Sequence, residues 1–227
     1  MKKYAIIVAG GKGVRMESEI PKQFLLLDGT PILMHCIKTF YLYDPTIEII
    51  VALPEEQIDY WKDLTHQYDL NIEHKIVAGG VTRFHSVKNA LRLVEENSMV
   101  AIHDGVRPLV TVDLIARAYD ALKQYRGAYP AIEVSDTLRK WAPSAKAYKL
   151  VDRNQYCLVQ TPQTFLSTYL LRAYDTEYSE EYTDDIEVFS RIRNNFPIKT
   201  IEGDSENIKI TRPEDLRIAS AILKCRN

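Results

Sequence analysis

At 227 residues and 46% hydrophobic content, the chain can bury one well-filled core and holds one domain, or a domain with an appendage. Its formal charge of −2, with basic residues interspersed among acids rather than gathered in a stripe, excludes a general nucleic-acid binder. No apolar run reaches membrane-spanning length, a first strand from Tyr4 leaves no room for a signal or transit peptide, and Cys36, Cys157 and Cys225 lack disulfide or zinc spacing, so a cytoplasmic protein with reduced thiols and no structural metal is expected.

The first predicted element is a strand over Tyr4–Ala9. It runs into a glycine-rich turn within AIIVAGGKGVRMESEIPK, residues 5–22. Gly10, Gly11 and Gly13 remove the Cβ atoms that would keep a phosphate away from backbone N–H groups. Arg15 and Lys22 follow, placed to neutralise phosphate charge. A dinucleotide fingerprint fails here because Met16 holds the place of its third glycine, counted from Gly11. A Walker A loop fails because Lys12 is followed by Gly13 instead of Ser or Thr. An ordinary strand-to-helix turn with solvated cations would explain a lone G-x-G. The ordered string G-G-K-G-x-R-M with a nearby P-K-Q is far more restrictive.

Further along, Glu48–Leu53, His74–Ala78, Met99–His103 and Gly127–Val134 read as strands, and Pro31–Tyr43, Pro54–Tyr68, Thr82–Glu95 and Thr111–Gln124 as helices. This alternation predicts an α/β fold, a Rossmann-like, mostly parallel twisted sheet with helices on both faces. Ligands in such sheets sit outside the carboxyl ends of the strands, where both AGGKG and His103-Asp-Gly-Val-Arg107 fall. After Val134 the rhythm breaks. Residues 135–155 are polar and turn at Pro143-Ser144, which predicts a protruding two-stranded arm that packs on something, a second subunit being the natural candidate. The last third predicts helices near Leu166–Tyr174 and Asp184–Asn194 and a strand near Ile198–Glu202. A strand-like piece carries Lys209, and Thr211-Arg-Pro-Glu214 predicts a capping box opening the closing helix.

The residues that carry chemistry are cations and one carboxylate. Asp104, after a buried strand and before Gly105, is the best magnesium candidate, since magnesium takes one or two carboxylates plus phosphate oxygens. Turn formation alone would also place an aspartate there. His103 reads as a packed, hydrogen-bonded neighbour rather than a ligand. Arg107 reads either as a phosphate or sugar contact or as a salt-bridge partner, and Arg83 either as a ligand contact or as a brace for its loop. The acids Glu180, Glu181, Asp184 and Asp185 read as a solvated helix start favoured by the dipole, not as a second metal site. No Ser–His–Asp or Cys–His grouping is present.

Ala9-Gly-Gly-Lys-Gly-Val-Arg-Met16 with Pro21-Lys-Gln-Phe24 resembles the signature of sugar-phosphate nucleotidyltransferases, and more narrowly of the 2-C-methyl-D-erythritol 4-phosphate cytidylyltransferases. The likeness continues through Gly79-Gly80 with Arg83 and Ser86, His103-Asp-Gly-Val-Arg-Pro108, Ser135-Asp-Thr137, Val151-Asp-Arg-Asn154, Thr161-Pro-Gln163, Thr183-Asp184 and Asn207-Ile-Lys-Ile-Thr211. It therefore spans nearly the whole chain, and implies one nucleotidyltransferase domain over 1–227 with its arm at about 135–155. It implies cytidylyl transfer from CTP to a sugar-alcohol phosphate with Mg2+, no organic cofactor, and a homodimer in which the arm reaches the neighbour's site. By matching position it implies Arg15, Lys22 and Lys209 as catalytic cations. Ala9, Gly10, Gly11, Gly13, Gly79, Gly80, Arg83, Ser86 and Asp104 would hold the nucleotide, with Asp104 on the metal. Arg107, Thr137, Arg153 and Thr183 would hold the second substrate. Arm packing and helix capping are the competing readings of the last three. Some family members carry an acidic residue where this chain has Val81, so a base contact there must come from backbone. The sister activity on D-ribitol 5-phosphate shares AGGKG and Pro-Lys-Gln-Phe and is the nearest alternative. A noncatalytic nucleotide sensor is disfavoured by the retained cations, and a nicotinamide-dependent dehydrogenase by the absent third glycine.

Overall fold

The structure is a computed structural model that describes residues 1–10, 20–191 and 197–226. In chain order the strands are β1 (Lys3–Val8), β2 (Leu26–Leu27), β3 (Thr30–Pro31), β4 (Glu48–Leu53), β5 (Lys75–Ala78), β6 (Met99–Asp104), β7 (Gly127–Glu133), β8 (Arg139–Ala142), β9 (Ala147–Leu150), β10 (Cys157–Val159), β11 (Gln163–Leu166) and β12 (Ile198–Glu202). The helices are α1 (Ile32–Tyr43), α2 (Ile58–Gln67), α3 (Arg83–Leu91), α4 (Val112–Ala121), α5 (Ser167–Tyr174), α6 (Asp185–Ser190) and α7 (Pro213–Arg226).

The main sheet runs β10-β7-β11-β6-β1-β4-β5, with β12 paired in parallel along β7. From β5 to β6 every pairing is parallel. Within this half β1, β4 and β6 bury both faces because their side chains alternate. Ala5 and Ile7 of β1, with Ile49, Val51 and Leu53 of β4, pack beneath α1, α2 and α4. Tyr4, Ile6 and Val8, with Ile50, Val100 and Ile102, pack beneath α3, α5 and α6. A third, smaller cluster seats α7 against Leu27 and Ile32.

Two strands depart from the sequence expectation. The sequence assigns no element to Cys157–Val159 or to Gln163–Phe165, and starts the next helix near Leu166. β11 instead lies antiparallel between β6 and β7, and β10 antiparallel to β7. Gln163 and Thr164 are polar, so no apolar alternation marks the strand, yet both are buried and their side chains bond inward. α3 ends at Leu91, short of Glu95, because Arg92, Leu93 and Val94 turn their amides to carbonyls three residues back. α6 ends at Ser190, and the remainder of that expected helix falls partly outside the described residues. The piece carrying Lys209 is not a strand. Its backbone meets the turn after β6 through Ile210 N–H to Val106 O at 2.9 Å, and Asn207 anchors it to Arg107 and Thr161.

The expected two-stranded hairpin forms. β8 and β9 pair antiparallel around a tight turn at Pro143–Ala145. Trp141 and Tyr148 meet edge to face at 5.0 Å, and both remain exposed with Leu150. At the start of α7, Asp215 rather than Glu214 turns back, its Oδ2 accepting from Thr211 N, Thr211 Oγ1 and Arg212 N.

Candidate active site

A cleft of about 770 Å3 opens at the carboxyl ends of β1, β4, β5 and β6. Strand ends and the turns after them supply its walls: Ala9 and Gly10 after β1, Pro54 and Glu55 after β4, Gly79 and Gly80 after β5, Asp104 at the end of β6 and Val106 beyond it. Lys22 enters from the short helical turn Lys22–Phe24, and Lys209 from the segment before α7. The sequence-expected Lys22, Ala9, Gly10, Gly79, Gly80, Arg83, Ser86, Asp104 and Lys209 thus converge on one cavity. Gly11, Gly13 and Arg15 lie outside the described residues.

The paired glycines are required by close packing. A Cβ on Gly80 would sit 2.3 Å from the His85 Cβ, and one on Gly79 would meet Ser86 Oγ at 3.0 Å. Ser86 Oγ accepts from Gly80 N–H at 3.0 Å and donates to Thr82 O at 3.1 Å. With its proton committed, the hydroxyl offers one remaining lone pair. Thr82 caps α3, accepting from His85 N–H. Val81, 98% exposed, contributes no polar side chain, so the rim presents backbone there.

Asp104 stands at the centre of a cation cluster. Lys209 Nζ approaches its Oδ2 at 2.8 Å, Arg83 Nε its Oδ1 at 3.3 Å, and Arg107 Nε its Oδ2 at 3.7 Å. Burial alone would push the carboxyl up, but Arg83, Lys209 and Arg107 outweigh it and hold it well below the usual carboxylate range. The Arg83 guanidinium pairs with Asp185, which accepts bidentately at 2.7 and 2.6 Å and also accepts the Tyr174 hydroxyl at 2.5 Å. Asp185 is fully buried, not the solvated helix-start acid expected from its neighbours. Its Arg83 partner stands about a hundred residues earlier in the chain, which no local pattern exposes. Asp184, by contrast, does cap α6, accepting from Glu187 N–H at 2.9 Å.

Beneath Asp104 a buried polar chain sets its backbone. Asp104 N–H donates to Thr161 Oγ1 at 3.1 Å, and that hydroxyl contacts His103 Nδ1 at 3.0 Å. His103 Nε2 contacts Arg107 O at 3.1 Å. A carbonyl can only accept, so Nε2 carries the proton and Nδ1 accepts from Thr161. Burial pushes the His103 imidazole down to about 4, leaving it neutral and structural. Arg107 Nη1 donates to Asn207 O at 2.8 Å, and Asn207 Nδ2 donates to Thr161 O at 2.9 Å. Arg107 is thereby built into the floor of the site. Thr161, Gln163, Asn207 and Asp185 are site-supporting residues that composition and periodicity did not single out.

Thr137, Arg153 and Thr183 are exposed and do not line this cleft. Thr137 and Arg153 flank the arm, where Arg153 Nη1 donates to Ser135 O. Thr183 directly precedes the cap of α6.

Among the described residues no three His, Cys, Asp or Glu side chains gather as a metal cage. The buried, ionised Asp104 carboxylate, in a cleft that Lys22 and Lys209 also line, fits a divalent cation that arrives on a triphosphate and takes one ligand from this carboxylate. Three cations and a carboxylate at the glycine-rich ends of a parallel sheet define an α/β nucleotidyltransferase. A family model described as 2-C-methyl-D-erythritol 4-phosphate cytidylyltransferase matches residues 4–225. Relatives of that name share 49% identity over 98% of this chain and 99% of theirs in Azobacteroides pseudotrichonymphae, and 46% over 98% and 100% in Bacteroides thetaiotaomicron. A crystal structure of 4-diphosphocytidyl-2C-methyl-D-erythritol synthase from Anaerococcus prevotii superposes with a TM-score of 0.82 at 27% identity, covering 98% of both chains. The chain belongs to the 2-C-methyl-D-erythritol 4-phosphate cytidylyltransferase family, and is an enzyme of cytidylyl transfer.

Proposed function

We propose that this cleft transfers the cytidylyl group of CTP to 2-C-methyl-D-erythritol 4-phosphate, in non-mevalonate isoprenoid synthesis. A phosphate oxygen of the acceptor forms a bond to the α-phosphorus, and the bond from that phosphorus to the bridging oxygen of pyrophosphate breaks. The observation that carries this reading is the convergence of Lys22, Lys209 and Asp104 beside the Gly79-Gly80 turn. A phosphate monoester has a second pKa of about 6, so the nucleophile is already ionised at neutral pH. It needs no general base. The obstacle is anion meeting anion, and fixed cations lower it by neutralising charge as it develops.

Lys22 and Arg15 take the α-phosphate, and Lys209 exchanges its contact with Asp104 for triphosphate oxygens. Ala9, Gly10, Gly79, Gly80 and the free lone pair of Ser86 present a polar edge to cytosine, and the glycines at 11 and 13 cradle phosphate. Asp104 would hold Mg2+, which supplies Lewis-acid neutralisation of the triphosphate when bound. Thr137, Arg153 and Thr183, with Arg107, bind the acceptor. Thr137 and Arg153 serve the cleft of a second copy, the arm joining two subunits. Supporting that arrangement, Trp141, Tyr148 and Leu150 of the arm and Tyr156 and Leu158 beyond it are all exposed. No described helix is long and apolar enough to cross a membrane. The three cysteines are free, and we place the enzyme in the cytoplasm.

Pyrophosphate release with CTP and Mg2+ tests this, run in parallel on methylerythritol phosphate and ribitol phosphate. Preference for the first is expected. Preference for ribitol phosphate would move the enzyme to another polyol, and silence with both, despite bound CTP, would leave only a nucleotide sensor.

A further inference from the structure

We infer that Asp185 is a positioning residue that sets the affinity of Asp104 for a divalent cation by fixing Arg83 and cancelling its charge; the inference rests on the reading of the cleft as a metal–nucleotide site.

Three cations crowd one carboxylate, which is a poor start for binding another cation. Asp104 with Arg83, Arg107 and Lys209 sums to a formal charge of +2. Asp185 reduces it to +1, and it does so through the cation that is held most firmly. Arg83 gives Asp185 two short, parallel N–H···O bonds at 2.7 and 2.6 Å, but Asp104 only one long contact at 3.3 Å. Bidentate guanidinium–carboxylate pairs are the directional, strong form of this interaction. Asp185 is itself held by two further bonds. Tyr174 donates to Oδ1, and Gln163 Oε1 accepts from the Asp185 and Ile186 amides at 3.0 Å each. The Gln163 amide donates in turn to Asp184 at 3.0 Å.

The three cations therefore divide their work. Lys209, whose side chain is 42% exposed, is free to leave Asp104 for a phosphate. Arg107 belongs to the floor through Asn207. Arg83 neither swings to the phosphates nor collapses onto Asp104, because its fork is occupied by a carboxylate with no access to solvent. Without that carboxylate, Arg83 would present a full positive charge to the metal position and turn its fork to Asp104, competing for the same oxygens. A fixed charge at such short range, away from water, acts with little screening.

The test is Mn2+ binding in the presence of CTP and the absence of acceptor, read by electron paramagnetic resonance of free Mn2+, so no turnover is involved. Asp185→Asn should weaken Mn2+ binding by about tenfold or more. The double variant Arg83→Gln/Asp185→Asn, which removes both charges together, should return to within about threefold of wild type. Tyr174→Phe removes a hydrogen bond but no charge, and should stay within about threefold while losing comparable thermal stability. Kinetically, the Asp185→Asn defect should shrink as Mg2+ is raised, a dependence that a loss of packing would not produce. Asp185→Asn binding like wild type, or single and double variants equally weak, would overturn the inference. If Asp185→Asn does not fold, the double variant alone decides: a loss of tenfold or more would refute the charge balance. Absence of Mn2+–CTP binding in the wild type would instead overturn the reading of the cleft, and this inference with it.

Discussion

His103 gives the most direct check on how the floor of the site is built. Its imidazole is wholly buried, donates to Arg107 O and accepts from Thr161, and burial depresses its pKa from 6.5 to about 4. A depressed pKa means the unfolded chain binds this proton more tightly than the folded one. The contribution of neutral His103 is thus complete above pH 6.5 and is lost as pH falls toward 4. Linkage over that interval gives about 2 kcal/mol lost at pH 5 and about 3 kcal/mol at pH 4. Against a total of about 5–15 kcal/mol this is a large share. His35 and His74 are also lowered by burial and act in the same direction, so the wild-type slope alone does not isolate the residue. The assay is urea unfolding at pH 7.0, 5.0 and 4.5 for wild type and His103→Gln, whose amide both donates and accepts. Wild type should lose about 2 kcal/mol more than the variant between pH 7 and 5. An NMR titration of the wild type should show one imidazole unprotonated at pH 5. A midpoint near 6.5 for that resonance, or parallel pH slopes for the two proteins, would refute the assignment.

Other expectations follow from the same geometry. Lys22→Ala should cut turnover at least about a hundredfold with the fold intact, because a preorganised cation at the transferring phosphate is lost; near-normal turnover would remove Lys22 from the mechanism. Gly80→Ala forces a Cβ to within 2.3 Å of His85 Cβ and should cost about 1–3 kcal/mol in a urea melt and raise the KM for CTP. An unchanged melt and KM would show that the turn is not tightly packed. On the arm, Leu150→Asp should produce a monomer in sedimentation with the fold retained, since the Leu150 side chain is exposed; a persistent dimer would place the interface elsewhere.

The half of the sheet from β5 to β6 was legible in the sequence because each strand is apolar on both faces and each is followed by a helix. The cleft was legible for the same reason, since its turns fall where those strands end. β11 was not legible. Gln163 and Thr164 look like loop residues until their partners, the Asp185 and Ile186 amides and Ala118 O, are known. Asp185 was misread on similar grounds: an acid among acids resembles a solvated helix start, and only the arrival of Arg83 from a distant turn makes its burial tolerable. Lys209 was placed in the right cleft on a wrongly assigned strand. Position along the chain was enough there, because the bonds of Ile210 to Val106 and of Asn207 to Arg107 and Thr161 fix the segment.

The insertion of β11 between β6 and β7 also bears on how the chain is made. β6 leaves the ribosome long before its partner, which follows after about sixty residues that include α4, β7 and the arm. At translation rates of about 5–20 residues per second, the four-stranded parallel half waits about 3–12 s with one flank of β6 unpaired. That flank is Val100, Ala101 and Ile102, an apolar template for any other extended chain nearby. The nascent enzyme is therefore most exposed to aggregation before Gln163 emerges, and the polar strand that was hardest to see in the sequence is the one that closes the sheet.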